Sequence, residues 1–244
     1  MRAVADTAVV AMHMSDGLVN APTAAVFGLV AAIALAVAAT RARADLDERT
    51  APMAGLVTAF VFAVQMINFP ILPGASGHLL GGALVAILVG PWVGSLCIAI
   101  VLVVQAVLFA DGGLTALGTN ITNMALVGTF TGYLVAVALR RLATRSRAGL
   151  LTTAFLSALV NTVVASLAFV LEFAVGGSGG ASLGTVFTLM VGLHVLVGIG
   201  EGIITAATVG AVAAVRPDLV HLLRGGPAPE LPRRAASATE GGAG

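Results

Sequence analysis

The sequence predicts an all-α fold: a polytopic membrane bundle of about seven transmembrane helices. Of the 244 residues, 59% are hydrophobic and only 9% are charged, and the mean hydropathy is +1.06, values far from those of soluble domains. Most uncharged runs exceed the roughly 20 residues that cross a bilayer core as a helix. These runs lack the alternating polarity of a membrane barrel, and open sheet edges cannot face lipid. The spans are therefore expected to be helices.

Glycines, prolines and charged residues divide the chain into segments. The prolines of Pro70–Gly74 end the second segment, and Gly90-Pro91 predicts a tight turn. The third segment, about 12 residues or roughly 18 Å long, is too short to cross a core of about 30 Å. The preceding peptide PILPGASGH is expected to supply the missing depth as irregular backbone that lines a cavity. The predicted segments are 21–40, 52–68, 79–90, 92–109, 119–139, 148–174 and 184–214.

The arginines predict the orientation of the bundle. All twelve basic residues are arginine. If the N-terminus lies outside, the inner connections contain every arginine except Arg2, as the retention of positive charge in cytoplasmic loops requires. The topology is therefore predicted to be N-out and C-in. Residues 217–244 are rich in Pro, Gly, Ala and Ser, and we expect a disordered cytoplasmic tail in which His221 is solvated.

The pair Met12-His13 has the chemistry of a metal chelate. A free α-amine at Met12, the following amide nitrogen and His13 Nδ1 would close a five-membered and a six-membered ring around one ion. A fourth imidazole, for which His78 is the candidate, would complete a square-planar N4 site that favours Ni²⁺ or Cu²⁺ and is reachable by low-spin Co²⁺. Such binding weakens as the pH falls. The alternatives are a chance Met-His pair and a loop histidine bonded to a carbonyl.

Several polar residues are candidates for a role around this site. His194 and Glu201 lie seven residues apart on one predicted helix face, and ionisable groups at membrane depth are costly and usually functional. They either satisfy each other or support the site. The two asparagines of GTNITNM either cap the fifth segment or line a cavity. The candidates for a supporting or coupling role are Asp16, Ser76, Asn120, Asn123, His194 and Glu201.

The first segment carries small residues at every fourth position. Such a stripe lets a second helix approach closely, although an alanine-rich composition also produces it by chance. The stripe, a candidate for packing against a partner helix, comprises Ala24, Gly28, Ala32 and Ala36.

Missing motifs exclude some functions. Without lysine, the phosphate-binding lysine of a P-loop is impossible, and no H-E-x-x-H occurs. One remaining alternative is a membrane-embedded enzyme that uses His194, Glu201 and Asp111 as acid and base groups, although no nucleophile–base motif is present and Asp111 reads as a turn residue. Another is a self-sufficient channel or secondary transporter.

Four motifs in order resemble one known family, the substrate-binding membrane subunit, or M component, of the cobalt/nickel energy-coupling factor transporters. The resemblance covers roughly 12–216. The motifs are MHMSDGLVNAPT at 12–23, NFPILPGASGHLLGGALVAILVGPW at 68–92, QAVLFADGGLTALGTNITNM at 105–124 and GLHVLVGIGEGIIT at 192–205.

The resemblance implies a seven-helix subunit of the cell membrane whose N-terminus folds into the bundle and binds one ion through Met12, His13 and His78. Co²⁺ or Ni²⁺ is then a transported substrate, with cobalt for cobalamin biosynthesis favoured, and no organic cofactor is expected. The implied partners are a transmembrane coupling (T) subunit, ATP-hydrolysing (A) subunits and a small accessory membrane subunit, with no nucleic acid. The chain itself is then not an enzyme.

Residues 1–11 depart from the family pattern because they would convert the Met12 amine into an amide. Some family members carry a cleaved signal peptide at this place. Here the apolar stretch is short and is interrupted by Asp6, unlike a typical secretory signal. We expect a mature chain that starts at Met12, through a misassigned start in preference to cleavage, with 12–216 forming the transmembrane metal-binding domain.

Overall fold

Helices dominate the residues that the computed structural model describes, which are 13–67, 69–72, 75–178 and 180–224; for 69–72 and 75–77 it describes only the backbone. A π-helical stretch, Ile121–Gly128, joins α5 to α6 as one continuous rod. The α-helices are α1 (Ala21–Asp45), α2 (Thr50–Gln65), α3 (Gly82–Val89), α4 (Pro91–Leu108), α5 (Leu117–Asn120), α6 (Thr129–Ala138), α7 (Arg140–Ala143), α8 (Arg147–Gly176) and α9 (Leu183–Val215).

Five of these rods are long and apolar enough to cross a membrane: α1, α4, the rod Leu117–Ala138, α8 and α9. The apolar helix α2 has 16 residues and α3 has only 8. Each of the seven predicted segments corresponds to one of these seven helical rods, and the ends differ by a few residues. The predicted all-α membrane bundle is confirmed.

Local sequence signals set where the long helices begin. The Asn20 side chain accepts a hydrogen bond from Thr23 N at 3.0 Å before α1. Ser146 and Ser182 cap α8 and α9 in the same way, through the amides of Gly149 and Thr185. These caps satisfy amides that lack a partner inside the helix.

The long helices α8 and α9 run antiparallel, with glycines of α9 against larger side chains of α8. A Cβ atom at Gly202 would lie 2.6 Å from the Phe155 ring, and one at Gly198 would lie 2.9 Å from Leu159. Small residues thus let the two helices approach closely, as is usual between membrane helices. This pair forms one wall of the bundle.

The short helix α3 lies at the centre of the bundle. All of its residues are buried, and it packs against α2, α4, α6, α8 and α9. Gly90, with φ +89°, and Pro91 then turn the chain directly into α4, as the sequence predicts. Since α3 is about 12 Å long, its N-terminal end and the preceding loop lie deep in the bundle.

A short antiparallel hairpin precedes that loop, where the sequence analysis expects irregular backbone. Strand β1 (Phe69–Leu72) pairs with β2 (Ala75–Gly77), with an irregularity between Pro70 and Leu72. Pairing of β1 with β2 gives hydrogen-bond partners to backbone groups that a helix would otherwise satisfy. The chain therefore returns toward α3 as a β-hairpin.

The chain after α9 differs from the expected disordered tail. Residues 217–219 and 221–223 form two 3₁₀ turns, and Val220 between them is buried together with Leu222 and Leu223. The Leu222 carbonyl accepts a hydrogen bond from Arg140 Nε at 3.0 Å. His221, for which a solvated side chain was predicted, is half-buried, and a Cβ atom at Gly90 would lie 2.9 Å from its ring. The apolar side chains of LVHLL thus pack this stretch against the bundle, while 225–244 lie outside the described residues.

Candidate metal centre

The segment 13–19 folds across one end of the bundle, which we call the outer end because the predicted topology faces it outward. His13 and Met14 are buried. The Asn120 side chain binds both peptide groups of Met14, accepting from Met14 N at 2.7 Å and donating to Met14 O at 3.1 Å. Gly113 N donates to the same carbonyl at 2.9 Å. The residue after His13 is therefore fixed by three hydrogen bonds.

Further bonds hold the rest of this segment. Asp16 Oδ1 accepts from Thr115 Oγ1 at 2.6 Å and from Thr115 N at 2.7 Å, and these two bonds lower the pKa of the Asp16 carboxyl. Leu18 O accepts from Ser178 N at 3.0 Å, and Asn20 N donates to Gly176 O at 2.7 Å. The segment is thus tied to the loop after α4 and to the end of α8.

This path brings the two predicted histidine ligands together. The His13 and His78 rings stack with centroids 4.4 Å apart and planes inclined by 21°, and His78 is 1% exposed. His78 Nδ1 lies 3.0 Å from Leu79 O. Because a carbonyl only accepts, Nδ1 carries the proton and Nε2 retains its lone pair. Among the described residues His78 Nε2 has no partner, as a metal ligand requires.

The acidic neighbour of His13 is Asp111, which the sequence analysis treats as a turn residue. His13 Nδ1 lies 3.2 Å from Asp111 Oδ1, close enough for electrostatic contact but not aligned as a hydrogen bond. The contact with His13 lowers the pKa of the Asp111 carboxyl. Since lone pairs lie in the imidazole plane, two stacked rings cannot both direct a nitrogen at one ion, and coordination requires a ring to rotate.

Met12, the third predicted contributor, lies outside the described residues. Within the described part of the chain, no three His, Cys, Asp or Glu side chains form a cluster able to hold a metal ion. The predicted N4 set needs only two imidazoles, because its other two nitrogens come from the amine of Met12 and the amide of His13. The described structure places His13 and His78 close enough to belong to that donor set after one ring rotates.

Glu201 holds the loop that follows His78. It is 2% exposed and accepts from Leu80 N at 2.9 Å and from Gly81 N at 3.0 Å. Two donors on α8 complete its shell: Asn161 Nδ2 at 3.0 Å and Thr162 Oγ1 at 2.8 Å. No bond joins it to His194 among the described contacts. Of the two alternatives for Glu201, mutual satisfaction with His194 is therefore not observed, and Glu201 binds the loop and α8 instead.

Comparison with known proteins identifies the family of this chain. The family model described as "Cobalt uptake substrate-specific transmembrane region" matches residues 13–219. The chain belongs to this cobalt-uptake family.

Relatives and solved structures of the same kind are similar over most of the chain. A putative fused nickel transport protein NikMN of Archaeoglobus fulgidus is 39% identical over 210 residues, covering 86% of this chain and 68% of that one. The cobalt transport protein CbiM of Sorangium cellulosum is 32% identical, with 87% and 96% covered. A crystal structure of a transition metal transporter is similar with a TM-score of 0.75 and 29% identity, covering 82% of this chain and 92% of that one.

In this member of the cobalt-uptake family, His194 is buried at 2% exposure. Its Nδ1 lies 2.6 Å from Met190 O, one turn earlier on α9, so Nδ1 carries the proton. Nε2 has no partner among the described residues. His194 thus has the tautomer that His78 has, but it is not part of a described metal-binding cluster.

This structure also contains a buried acid that was not among the residues predicted from the sequence. Glu172 of α8 is 2% exposed, and its Oε2 accepts from Asn123 Nδ2 at 2.7 Å. Glu172 Oε1 and Asn123 Oδ1, both acceptors, are buried without a partner among the described residues. A single proton on Glu172 would serve both, as in a carboxylic acid–amide pair. The available signal was one acidic residue between two long uncharged runs.

The remaining candidates are Ser76 and the small-residue stripe of α1. Ser76 is on β2, where its Cα pairs with that of Pro70, and its side chain lies outside the described residues. Ala24 and Gly28 are half-buried, while Ala32 and Ala36 are exposed. A Cβ atom at Gly118 would overlap Gly28 Cα, so the first half of the stripe packs inside the chain and only its second half is open.

Proposed function

We propose that this protein is the substrate-capture subunit of an ATP-driven importer of divalent cobalt or nickel. The observation that carries the proposal is the buried, stacked pair of His13 and His78, with the N-terminal segment held against the bundle by Asn120. The names of its relatives, which include cobalt and nickel transport proteins, support the metal class. Cobalt for cobalamin biosynthesis is the favoured use.

The proposed ligands are four nitrogens. The Met12 amine, the His13 amide and His13 Nδ1 form the chelate, and His78 Nε2 closes the plane. The unpartnered His78 Nε2 supports this set, and the Leu79 carbonyl fixes the tautomer in the way that is usual for metal-binding histidines. A square-planar N4 site suits Ni²⁺ as well as low-spin Co²⁺, so both ions are proposed substrates. The chelate requires a mature chain that begins at Met12.

Transport requires partners in this proposal. With no lysine, the chain has no P-loop lysine, so ATPase (A) subunits are proposed to act through a transmembrane coupling (T) subunit in the bacterial cell membrane, with a small accessory membrane subunit. The exposed small residues Ala32 and Ala36 support packing of α1 against a partner helix. Capture at the outer end then precedes delivery inward.

Nickel titration of purified chains tests the site. A chain that starts at Met12 should bind one Ni²⁺ tightly, and a chain with residues 1–11 intact should bind far more weakly because its Met12 nitrogen is an amide. His78→Ala should lose tight binding. His221→Ala is the matched control, since His221 packs against Gly90 away from the outer end. Equal affinity of the two chain lengths would refute the amine ligand.

A transport assay tests the subunit role. Vesicles that contain this chain alone should bind Co²⁺ or Ni²⁺ without sustained, ATP-driven uptake, and uptake should appear when the ATPase and coupling subunits are added. Steady metal flux through the chain alone would instead indicate a channel or secondary transporter.

A further inference from the structure

The four bonds of Glu201 join separate parts of the bundle. Leu80 N and Gly81 N belong to the loop that carries His78, and Asn161 and Thr162 belong to α8. Glu201 itself lies on α9. One carboxylate therefore ties the His78 loop to the two longest helices of the bundle.

Glu201 is surrounded mainly by hydrogen-bond donors. Its oxygens accept from Leu80 N–H, Gly81 N–H and the Asn161 amide, and Oε2 also lies 2.8 Å from Thr162 Oγ1, which in turn lies 2.9 Å from Ala158 O. None of the described arginine side chains forms an ion pair with it. Two of the donors are backbone amides at the start of α3, where the helix dipole favours negative charge. Hydrogen bonds and the helix dipole therefore offset part of the free-energy cost of burying this carboxyl group.

On the opposite side of the same loop, a second side chain holds the Leu80 carbonyl. Gln65 Nε2 of α2 donates to Leu80 O at 2.6 Å. The peptide groups on both sides of Leu80 are thus fixed, two residues after His78. With the backbone held and Nδ1 bonded to Leu79 O, the His78 ring has little freedom to move.

We propose that Glu201 is the positioning residue of the metal centre: by binding Leu80 N–H and Gly81 N–H, its carboxylate sets where His78 Nε2 meets the ion. The inference rests on the proposed function, because it takes His78 as a ligand. Glu201 touches no metal in this role and acts only through the loop.

Substitution by glutamine separates this role from simple burial of a polar group. In Glu201→Gln one oxygen becomes an NH₂ group, which in either orientation faces a backbone donor, Gly81 N–H or Leu80 N–H, so a donor opposes a donor. Glu172→Gln is the matched control, since a glutamine there can accept from Asn123 Nδ2 and donate to Asn123 Oδ1. Both are buried glutamates on long helices.

The experiment is a Ni²⁺ titration of the chain that starts at Met12, followed by absorption spectroscopy and thermal unfolding. We expect Glu201→Gln to bind Ni²⁺ about 10- to 100-fold more weakly, and Glu172→Gln to keep the wild-type affinity. The ligand-field band of Ni²⁺ in Glu201→Gln should move to longer wavelength and match that of His78→Ala, because a water oxygen replaces the imidazole. A role in stability alone would lower the unfolding temperature without changing the band.

A second variant keeps the inference testable if Glu201→Gln does not fold. Thr162→Val removes a polar partner of Glu201 at nearly constant shape, together with the bond of the Thr162 hydroxyl to Ala158 O one turn earlier. Thr58→Val is its control, because the Thr58 hydroxyl bonds Ala54 O in the same way and no bond to Glu201 is described for it. Weaker Ni²⁺ binding in Thr162→Val but not in Thr58→Val supports the role, and wild-type affinity in Thr162→Val contradicts it.

Failure of this inference is distinguishable from failure of the proposed function. If His78→Ala loses tight binding while Glu201→Gln keeps the wild-type affinity and spectrum, Glu201 is not the positioning residue and the metal site stands. If His78→Ala binds Ni²⁺ as the wild type does, the proposed site is wrong and the role of Glu201 falls with it.

Discussion

At the scale of single residues, the amide of Asn120 reproduces a peptide group. It satisfies both the N–H and the carbonyl of Met14, directly after the proposed ligand His13. An aspartate keeps the acceptor for Met14 N but presents a second oxygen to Met14 O. We expect Asn120→Asp to weaken Ni²⁺ binding by about tenfold or more, measured by titration of the chain that starts at Met12.

Asn20→Asp is the control for that substitution. Asn20 caps α1 through Thr23 N, and aspartate is an equally good N-cap, so both the Ni²⁺ affinity and the unfolding temperature should stay near those of the wild type. If Asn120→Asp also kept the wild-type affinity, the Asn120 contact would not position the ligand.

The sequence predicted single residues unevenly. His13 and His78 followed from chelate chemistry and from the family motifs, but their stacking did not, because it depends on how α3 is held. The sequence does not distinguish a helix-capping role from a cavity-lining role for Asn120, because an asparagine side chain suits both. Glu172 was used only to mark the boundary of an uncharged run and was not predicted as a buried polar residue. A lone acid at membrane depth is itself a signal of a functional or structural role.

At the scale of elements, the loop after α4 and the N-terminal segment fit together without room for a side chain. A Cβ atom at Gly113 would overlap Asp16 N and the Ser15 carbonyl carbon. Gly113→Ala should therefore push the segment outward, weaken Ni²⁺ binding by about tenfold or more and destabilise the fold by about 1–3 kcal/mol. Titration and thermal unfolding measure the two effects.

Gly184→Ala is the matched control near the start of α9. A Cβ atom there would meet only Ser182 Oγ, at 4.0 Å, so the affinity should not change. Gly113 is not at positive φ, so the expected loss comes from overlap and not from backbone strain. Wild-type affinity in Gly113→Ala would mean that the segment position does not control binding.

Helices whose bounds are set by hydropathy and capping residues were predicted well. The other elements depend on tertiary contacts and were not predicted. The long helices follow from uncharged runs that end at arginines, glycines and prolines. The hairpin β1–β2 was not predicted, because prolines and glycines indicate a break without specifying what replaces the helix. The turns at 217–223 were assigned to the tail by composition, although the apolar run LVHLL was available as a signal of packing.

At the scale of the whole molecule, most charged residues lie at the two ends of the bundle. Buried polar contacts between helices connect these two ends. At one end the N-terminal segment meets the loop after α4, and at the other Arg140 and Arg224 bond Leu222 O and Thr50. The predicted N-out and C-in topology assigns these ends to the outside and the inside. Between the two ends, α3 extends from the Glu201-bound loop to the turn at Gly90 against His221. The centre of the bundle is thus fixed at both of its ends.

The same arrangement predicts how metal binding depends on pH. Burial, and secondarily the neighbouring His13, lowers the pKa of His78 to about 3, so His78 is neutral at pH 6–9 and releases no proton when an ion binds. The chelate does release protons: one from the His13 amide at every pH, and one from the Met12 ammonium below its pKa of about 8.

Affinity should therefore rise with pH, by about two log units per pH unit near pH 7 and about one above pH 9. Chelator competition with Ni²⁺ across this range measures the slope. His78→Ala should lower the affinity at every pH without changing the slope. A slope near zero would show that neither the amine nor the amide is a ligand.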